Sequence, residues 1–400
     1  MKKSISAISI IATSFLSSVY AAEETKITVG GVVKLDTYFD SSVNNSAGPR
    51  GYDLLNFRSI PLEGTASAER SGGTKMHARE SRFYLKSETP FEGKLIKTHL
   101  EFDLLGRIDT GSGTDEDTVS NSYEPRLRQA WVSWDNWLAG QTWTNFADLS
   151  AYPEGMTLDS IVGRSMLRQA QIRYTQPLGG GDKLIFSLEN PDTDFNLGNP
   201  APGSNASEDD SIPDIVGTYL NKTDFGHIRA SFVYRSLGVD TSVTDGIENR
   251  ISDRTSGWGI GLSSKINFSD NLNVKLNFNG GDGIGRYIYN NHWRAAILTS
   301  EGKLETETTW SGNFMLQYKV NKMRYNLGYG LIDVDVDENL LVGSVNKKIT
   351  TFHANAIYSI YPSLNVGFGI TQASRTVVNG DEGDITRLMF YVKKSFKGTL

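Results

Sequence analysis

The 400 residues contain no cysteine. In an exported chain that removes disulfide staples, and with them the class of small cross-linked extracellular scaffolds. Long apolar runs are missing too. Beyond residue 22 no charge-free hydrophobic stretch approaches the ~18 residues that a membrane-crossing helix requires. Positive charge is in deficit, with 40 Lys and Arg against 46 Asp and Glu, which argues against a nucleic-acid partner. Histidine is scarce. The five (His77, His99, His227, His292 and His353) are scattered, none has an H-E-x-x-H metal spacing, and none has a compelling serine partner. A barrel hydrolase would need a nucleophile, a base and an orienting group within reach. No enzyme, metal site or cofactor is therefore expected. Gly280-Gly-Asp-Gly-Ile-Gly285 is glycine-rich, but no helix follows it to bind phosphate, so it reads as a loop.

What is present is a leader and then a long alternation. Met1-Lys2-Lys3, the apolar run from Ile5 to Leu16 and the small-residue end Val19-Tyr20-Ala21 read as a cleaved secretory signal peptide over residues 1–21. Its removal leaves residues 22–400 as one domain carrying 38 basic against 46 acidic residues, or −8. The 40 glycines and 10% aromatics suit a many-stranded β protein with frequent turns. Lys26 to Tyr38 reads as a first strand and Met76 to Glu88 as the next, with Arg82, Tyr84, Lys86 and Glu88 on one face and Phe83 and Leu85 on the other. Leu95 to Leu104 returns, setting His99, Glu101 and Asp103 against Leu100, Phe102 and Leu104.

Short turns and long polar stretches then alternate strictly. Short ones lie at 89–93, 135–136, 179–181, 222–224, 269–271, 321–322 and 361–363. Long ones follow the first strand and recur near 106–124, 144–167, 191–213, 236–256, 280–307, 333–348 and 373–384. Seven short and eight long connections imply sixteen strands, between about 26 and 396, with both chain ends on the short-turn side. Outer-membrane barrels have this asymmetry, with short periplasmic turns and long external loops. The expected fold is all-β: a transmembrane antiparallel β-barrel, exported through the periplasm to the bacterial outer membrane. Parity assigns its faces. Leu272, Val274, Leu276 and Phe278 face lipid, as do Phe314, Leu316 and Tyr318, then Tyr325, Leu327, Tyr329 and Leu331. Asn273, Lys275, Asn277, Asn279, Asn313 and Gln317 face inward. The closing strand sets Leu388, Phe390, Val392 and Phe396 outward, with Arg387, Met389 and Tyr391 inward. Trp131, Trp134, Trp137, Trp143, Tyr358 and Tyr361 are placed in the interfacial girdles.

The third long connection, 144–167, is too apolar for a linker, holding Phe146, Tyr152, Pro153, Met156 and Leu158. Around it run Arg126-Leu-Arg-Gln-Ala-Trp-Val-Ser-Trp134, then Trp137-Leu-Ala-Gly-Gln-Thr-Trp143, then Arg168-Gln-Ala-Gln-Ile-Arg-Tyr-Thr175. Arg126, Arg128 and Arg173 share a face, with Leu127, Trp131, Ile172 and Tyr174 on the other. These runs, with Arg79-Glu-Ser-Arg-Phe83, Glu88-Thr-Pro90 and Arg387-Leu-Met-Phe-Tyr, resemble the DcaP-like outer-membrane porins over nearly the whole mature chain. The resemblance implies a sixteen-stranded homotrimeric diffusion channel, a third loop folded into the pore, and small, often dicarboxylic, anions as solutes. Some members carry a helical N-terminal extension, whereas here the signal leads almost directly into a strand. The chain also ends Phe396-Lys-Gly-Thr-Leu400 rather than on the aromatic.

Inward parity makes Arg82, Arg126, Arg128, Arg173, Arg229, Arg235, Arg387, His99 and Tyr84 the candidate pore lining, with Phe146, Asp148, Tyr152, Glu154 and Asp159 on the constriction loop. A guanidinium is always charged and grips a carboxylate through two parallel hydrogen bonds, so such a wall favours anions. The alternative is that these arginines pair with Glu88, Glu101, Asp103 and Glu189 and only brace the wall. Four acidic clusters (115–117, 208–210, 333–338 and 381–384) hold 13 of the 46 acids in expected external loops, so net charge does not describe the pore. They form a solvated rim beside lipid and lipopolysaccharide, or bridge divalent cations. A general non-selective porin and a sealed receptor or adhesin barrel remain the other readings.

Overall fold

The computed structural model describes residues 24–44, 54–106, 124–201, 206–240, 251–289, 295–341 and 343–400. The expected signal peptide and the acidic cluster at 115–117 lie outside the described residues. Sixteen antiparallel strands form the wall. The first four are β1 (Lys26–Asp40), β2 (Arg82–Phe91), β3 (Lys94–Asp103) and β4 (Arg126–Trp134). Next come β5 (Trp137–Trp143), β6 (Arg168–Gly179), β7 (Asp182–Glu189) and β8 (Asp214–Thr223). The second half holds β9 (Gly226–Asp240), β10 (Ser252–Asn267), β11 (Leu272–Asp282) and β12 (Thr308–Val320). It ends with β13 (Met323–Asp335), β14 (Asn346–Tyr361), β15 (Leu364–Val377) and β16 (Glu382–Thr399). Each strand pairs with its neighbours in order, and β16 pairs with β1 from Thr28↔Thr399 to Asp40↔Arg387. The sheet is closed, so among the described residues it presents no open strand edge to hydrocarbon.

Alternation explains the outer surface. Val29, Val33, Leu35, Phe83, Leu85, Leu276, Phe278, Phe314, Leu327, Phe368, Leu388 and Phe390 are all exposed on the isolated chain, which in a bilayer means facing lipid. At the short-turn end the backbone takes the left-handed region at Asp135 (φ 53°) and Asn321 (φ 51°), as tight hairpins require.

Three expectations are corrected. The stretch from Met76 to Glu88 is not one strand: Thr74–His77 pairs with the upper part of β1, and β2 starts only at Arg82. The later strands run longer than the 9–11 residues that cross a membrane, up to 18 in β16. They therefore take in Gly280 to Asp282 and the acids Asp333, Asp335, Glu382 and Asp384, all read from sequence as loop. Above the bilayer no lipid imposes a hydrophobic face, so strand and loop look alike in composition. Finally, β4 carries a bulge. Glu101 pairs with Gln129 and Phe102 with Leu127, leaving Arg128 as the extra residue. Parity flips there, so Leu127 faces lipid while Trp131 turns inward against His99, with ring centroids 5.5 Å apart. Trp131 is not a girdle residue. Neither is Trp143, which packs on Tyr152 and under Arg168.

The upper lumen is not wet throughout. Leu55, Phe57 and Ile60 from the first loop, Val162 from the third, and Ile284, Ile288 and Ile297 from the sixth pack on inward Ile332, Val334, Ile349, Ala373 and Ile385. Residues 195–197 and 296–298 add a parallel pairing between the fourth and sixth loops. Loops thus fill the outer mouth with an apolar core. Phe390, outward on β16 and opposite Phe368 and Thr37, tests the lipid face. Phe390→Arg is expected to destabilise the barrel by ~2–4 kcal/mol, read by denaturant titration in lipid vesicles.

Candidate functional site

The third loop, 144–167, enters the lumen because the wall supplies its backbone with partners. Its base is closed by Thr144 N–H donating to Leu167 O at 2.8 Å. Asn145 N–H then donates to Glu189 Oε1 at 2.7 Å, and its carbonyl accepts from Thr218 Oγ1 at 2.9 Å and Arg229 Nη2 at 2.5 Å. Phe146 is buried with Val216, Val233 and Tyr287. Farther along, Asn277 donates to Ala151 O at 2.9 Å, Lys275 to Tyr152 O at 2.8 Å and Asn355 to Glu154 O at 2.8 Å. Lys34 on β1 donates to Met156 O at 2.9 Å. Asn313 and Asn279 hold the carbonyls of Val162 and Gly163 at 3.1 and 3.2 Å. The loop reaches from β5 across to β14, β16 and β1.

Side chains pin the same path. Asp148 meets His227 Nε2 at 2.6 Å and accepts from Ser263 Oγ at 2.8 Å. Glu154 accepts from Gln317 at 2.6 Å and pairs with Arg324 at 3.2 Å. Asp159 takes the amide of Leu55 and stands 3.5 Å from Arg387. Arg164 is turned back on the loop, donating to the carbonyls of Ile161 and Leu158 and lying over Tyr152, 5.4 Å from its ring centre. Burial disfavours the charge on Asp148, but the bonds from His227 and Ser263 outweigh it and hold its carboxyl below the usual range. Burial, the larger influence, raises the Tyr152 phenol well above its ordinary value, so it stays neutral.

Facing the loop is a cationic wall built at the bulge. Arg126 grips Asp103 with Nε at 3.0 Å and Nη2 at 2.7 Å. Arg128 bridges Glu101 at 2.5 Å and Asp103 at 2.6 Å. Arg82 lies 4.0 Å from Glu101, and Arg168 sits over Trp143 with 4.8 Å to its ring centre. Three of these guanidinium groups lie within 4.0 Å of two carboxylates, Glu101 and Asp103, and Arg168 stacks beside them. His99 and Tyr84 flank this wall, their rings 6.0 Å apart. Arg173 donates to Gln171 Oε1 at 2.9 Å and to Trp143 O at 2.5 Å. Between wall and loop lies a cavity of about 220 Å³ lined by Lys34, Glu80, Arg82, Tyr391 and Lys393 on one side and Tyr152 to Leu158 on the other.

Arg235 and Arg387 point inward but are closed off from the lumen. Arg235 has no exposed surface and bonds Asp214, Gly283 O and Asp192 O beneath the fourth and sixth loops. Arg387 grips Asp40 at 2.6 and 2.8 Å. Both brace loop to wall. Sequence reasoning passed over Lys34, Lys393, Arg164 and Arg168. Lys34 and Lys393 share parity with known inward residues of β1 and β16 and were within reach of the same rule; Arg164 and Arg168 were not, because they sit in and beside the loop.

A closed sixteen-stranded wall, short turns at one end, long loops at the other and a third loop lying across the lumen define a porin-type channel of the bacterial outer membrane. The chain belongs to the DcaP outer membrane protein family, whose pattern matches residues 3–396. Among solved structures it is similar to the outer membrane channel DcaP of Acinetobacter baumannii, with TM-score 0.76 and 19% identity over 93% of this chain and 97% of that one. It also resembles the anion-selective porin from Comamonas acidovorans (TM-score 0.54, 13% identity, covering 93% and 100%). OmpT of Vibrio cholerae, as its loop L8 deletion mutant, matches at TM-score 0.52 and 9% identity over 94% and 100%. No curated protein matches the chain in sequence.

The Asp148 anchor gives a pH test. Its folded pKa lies below the ordinary value of 3.8, so its contribution is complete above that value and is lost as pH falls through the lower, folded one. Single-channel recordings should show steady conductance at neutral pH and a noisier, larger conductance in strong acid. Asp148→Asn should show the noisier state already at neutral pH.

Proposed function

We propose that the channel passes small hydrophilic anions by passive diffusion, with dicarboxylate-like solutes favoured at the loop-narrowed level. The carrying observation is the excess of guanidinium at the bulge: Arg82, Arg126 and Arg128 on Glu101 and Asp103, with Arg168 beside them and the nearby Glu80 already paired to Lys34. Lys34 and Lys393 extend it along the cavity, although Lys34 is itself neutralised by Asp36 at 2.7 Å and Glu80 at 2.5 Å. Arg126 and Arg82 keep part of their side chains accessible, 37% and 31%, and each can present free N–H groups to a passing carboxylate. The two groups at the ends of a short dicarboxylate suit two such donors held on one wall. The likeness to a porin described as anion-selective agrees with this reading. Homotrimeric assembly and contact with lipopolysaccharide at the loop rim belong to the same proposal.

Screening sets the conditions. The Debye length is ~8 Å at physiological salt and ~3 Å at 1 M, so selectivity from wall charges fades as salt rises. Arg126→Ala leaves Asp103 still held by Arg128, whereas Arg128→Ala would take from buried Glu101 its close partner at 2.5 Å. The informative variant is therefore Arg126→Ala combined with Arg82→Ala. In planar bilayers at ~0.1 M salt its anion/cation permeability ratio is expected to drop several-fold, each lost charge weighing about fivefold at ~4 Å in water. A reversal potential identical to that of the unaltered channel would remove the basis for anion selection.

A further inference from the structure

Below the loop, toward the short turns, the inner wall carries a second cationic tier that the arginine cluster does not include. Lys265 on β10 and Lys275 on β11 are direct cross-strand partners, and so are Lys319 on β12 and Arg324 on β13. All four face the lumen, since they share parity with Ser263, Asn277, Gln317 and Asn326, whose side chains bond to the loop or to one another across the inner face. Like charges placed directly opposite destabilise a ladder. Here it happens twice on four consecutive strands.

One carboxylate, Glu154, partly relieves this for Arg324 and Lys275. Lys275 is occupied by Tyr152 O at 2.8 Å, and Arg324 by Glu154 at 3.2 Å and Ser359 at 2.9 Å. Neither Lys265 nor Lys319 has a carboxylate within ion-pair distance among the described residues. Asp148, next along from Lys265 on the inner face, is held by His227 and Ser263. Asp224 and Asp270 lie exposed in the turns. All four cationic residues are half-buried, so they remain reachable from the periplasmic vestibule.

We infer that this tier is a binding station for a multivalent oxyanion on the periplasmic side of the constriction. Directly opposed strand positions hold their Cβ atoms ~5 Å apart, close enough for two cationic groups to act on one dianion together. A monovalent ion gains from the pair about half as much. The station rests on the chain being a channel, but not on the selectivity of the arginine wall. It would hold an oxyanion that has cleared the loop and give the pore a direction-dependent response.

Inorganic phosphate at pH 8, where the dianion dominates, is the probe. It is added to one bilayer chamber and then the other, in ~0.1 M potassium chloride. The wild-type channel should lose chloride current at lower phosphate concentration from one side than from the other. In Lys265→Gln combined with Lys319→Gln the half-blocking concentration of the dianion should rise by at least about fivefold for each ammonium removed, and the sidedness should vanish. Unchanged conductance of this variant at 1 M salt would establish that it folds and opens. Equal block from both sides in the wild type, or undiminished block in the variant, overturns the station. Arg126→Ala with Arg82→Ala separates the two levels: it should shift the reversal potential while the one-sided phosphate block persists.

Discussion

A stretch of irregular backbone lies inside a barrel, and its polar groups must be bonded there. An unpaired buried peptide group costs as much as a lost hydrogen bond. Asn277, Asn279, Asn313 and Asn355 each donate an amide N–H to a loop carbonyl, and Lys275 and Lys34 donate two more. These bonds run along β11 to β14 and across to β1. The loop is therefore drawn to one side of the lumen and kept off the other. The side it leaves clear is β2 to β4, where the arginines stand.

That division governs the charges. On the open side Arg126 and Arg128 share Glu101 and Asp103, and the bulge at Arg128 lets two arginines separated by a single residue, followed by Gln129, all face inward. A bulge re-aims side chains in this way. On the covered side Arg235 and Arg387 are sealed with their carboxylates. Removing one partner of such a pair is costly because it strands the other charge. The same residue type thus keeps accessible side chain on the lumen at Arg82 and Arg126 and braces the wall at Arg128, Arg235 and Arg387.

Much of this was legible in the chain itself. Period-two alternation marked the lipid face because hydrocarbon tolerates nothing else, and the alternation of short and long connections set the strand number. The row Asn273, Asn277 and Asn279 with Asn313 and Gln317 was visible as an inward face, though not as the seat of a loop. Three features were hidden. A bulge changes parity by one residue without changing composition, so strict alternation puts Trp131 on the wrong face. Strands above the bilayer lose their apolar side, so Asp333 and Glu382 looked like loop. Ile332, Val334, Ile349 and Ile385 point inward yet are apolar, because loops pack on them; a rule that equates inward with polar fails there.

Removal of the wall amides tests the loop seat most directly. In the combined variant Asn277→Leu, Asn313→Leu and Asn355→Leu, single-channel conductance at 1 M salt, where wall charge is screened, reports the width of the opening. Conductance larger than that of the unaltered channel, with slow fluctuations, is the predicted result. Identical and equally quiet conductance in the two proteins would contradict the account.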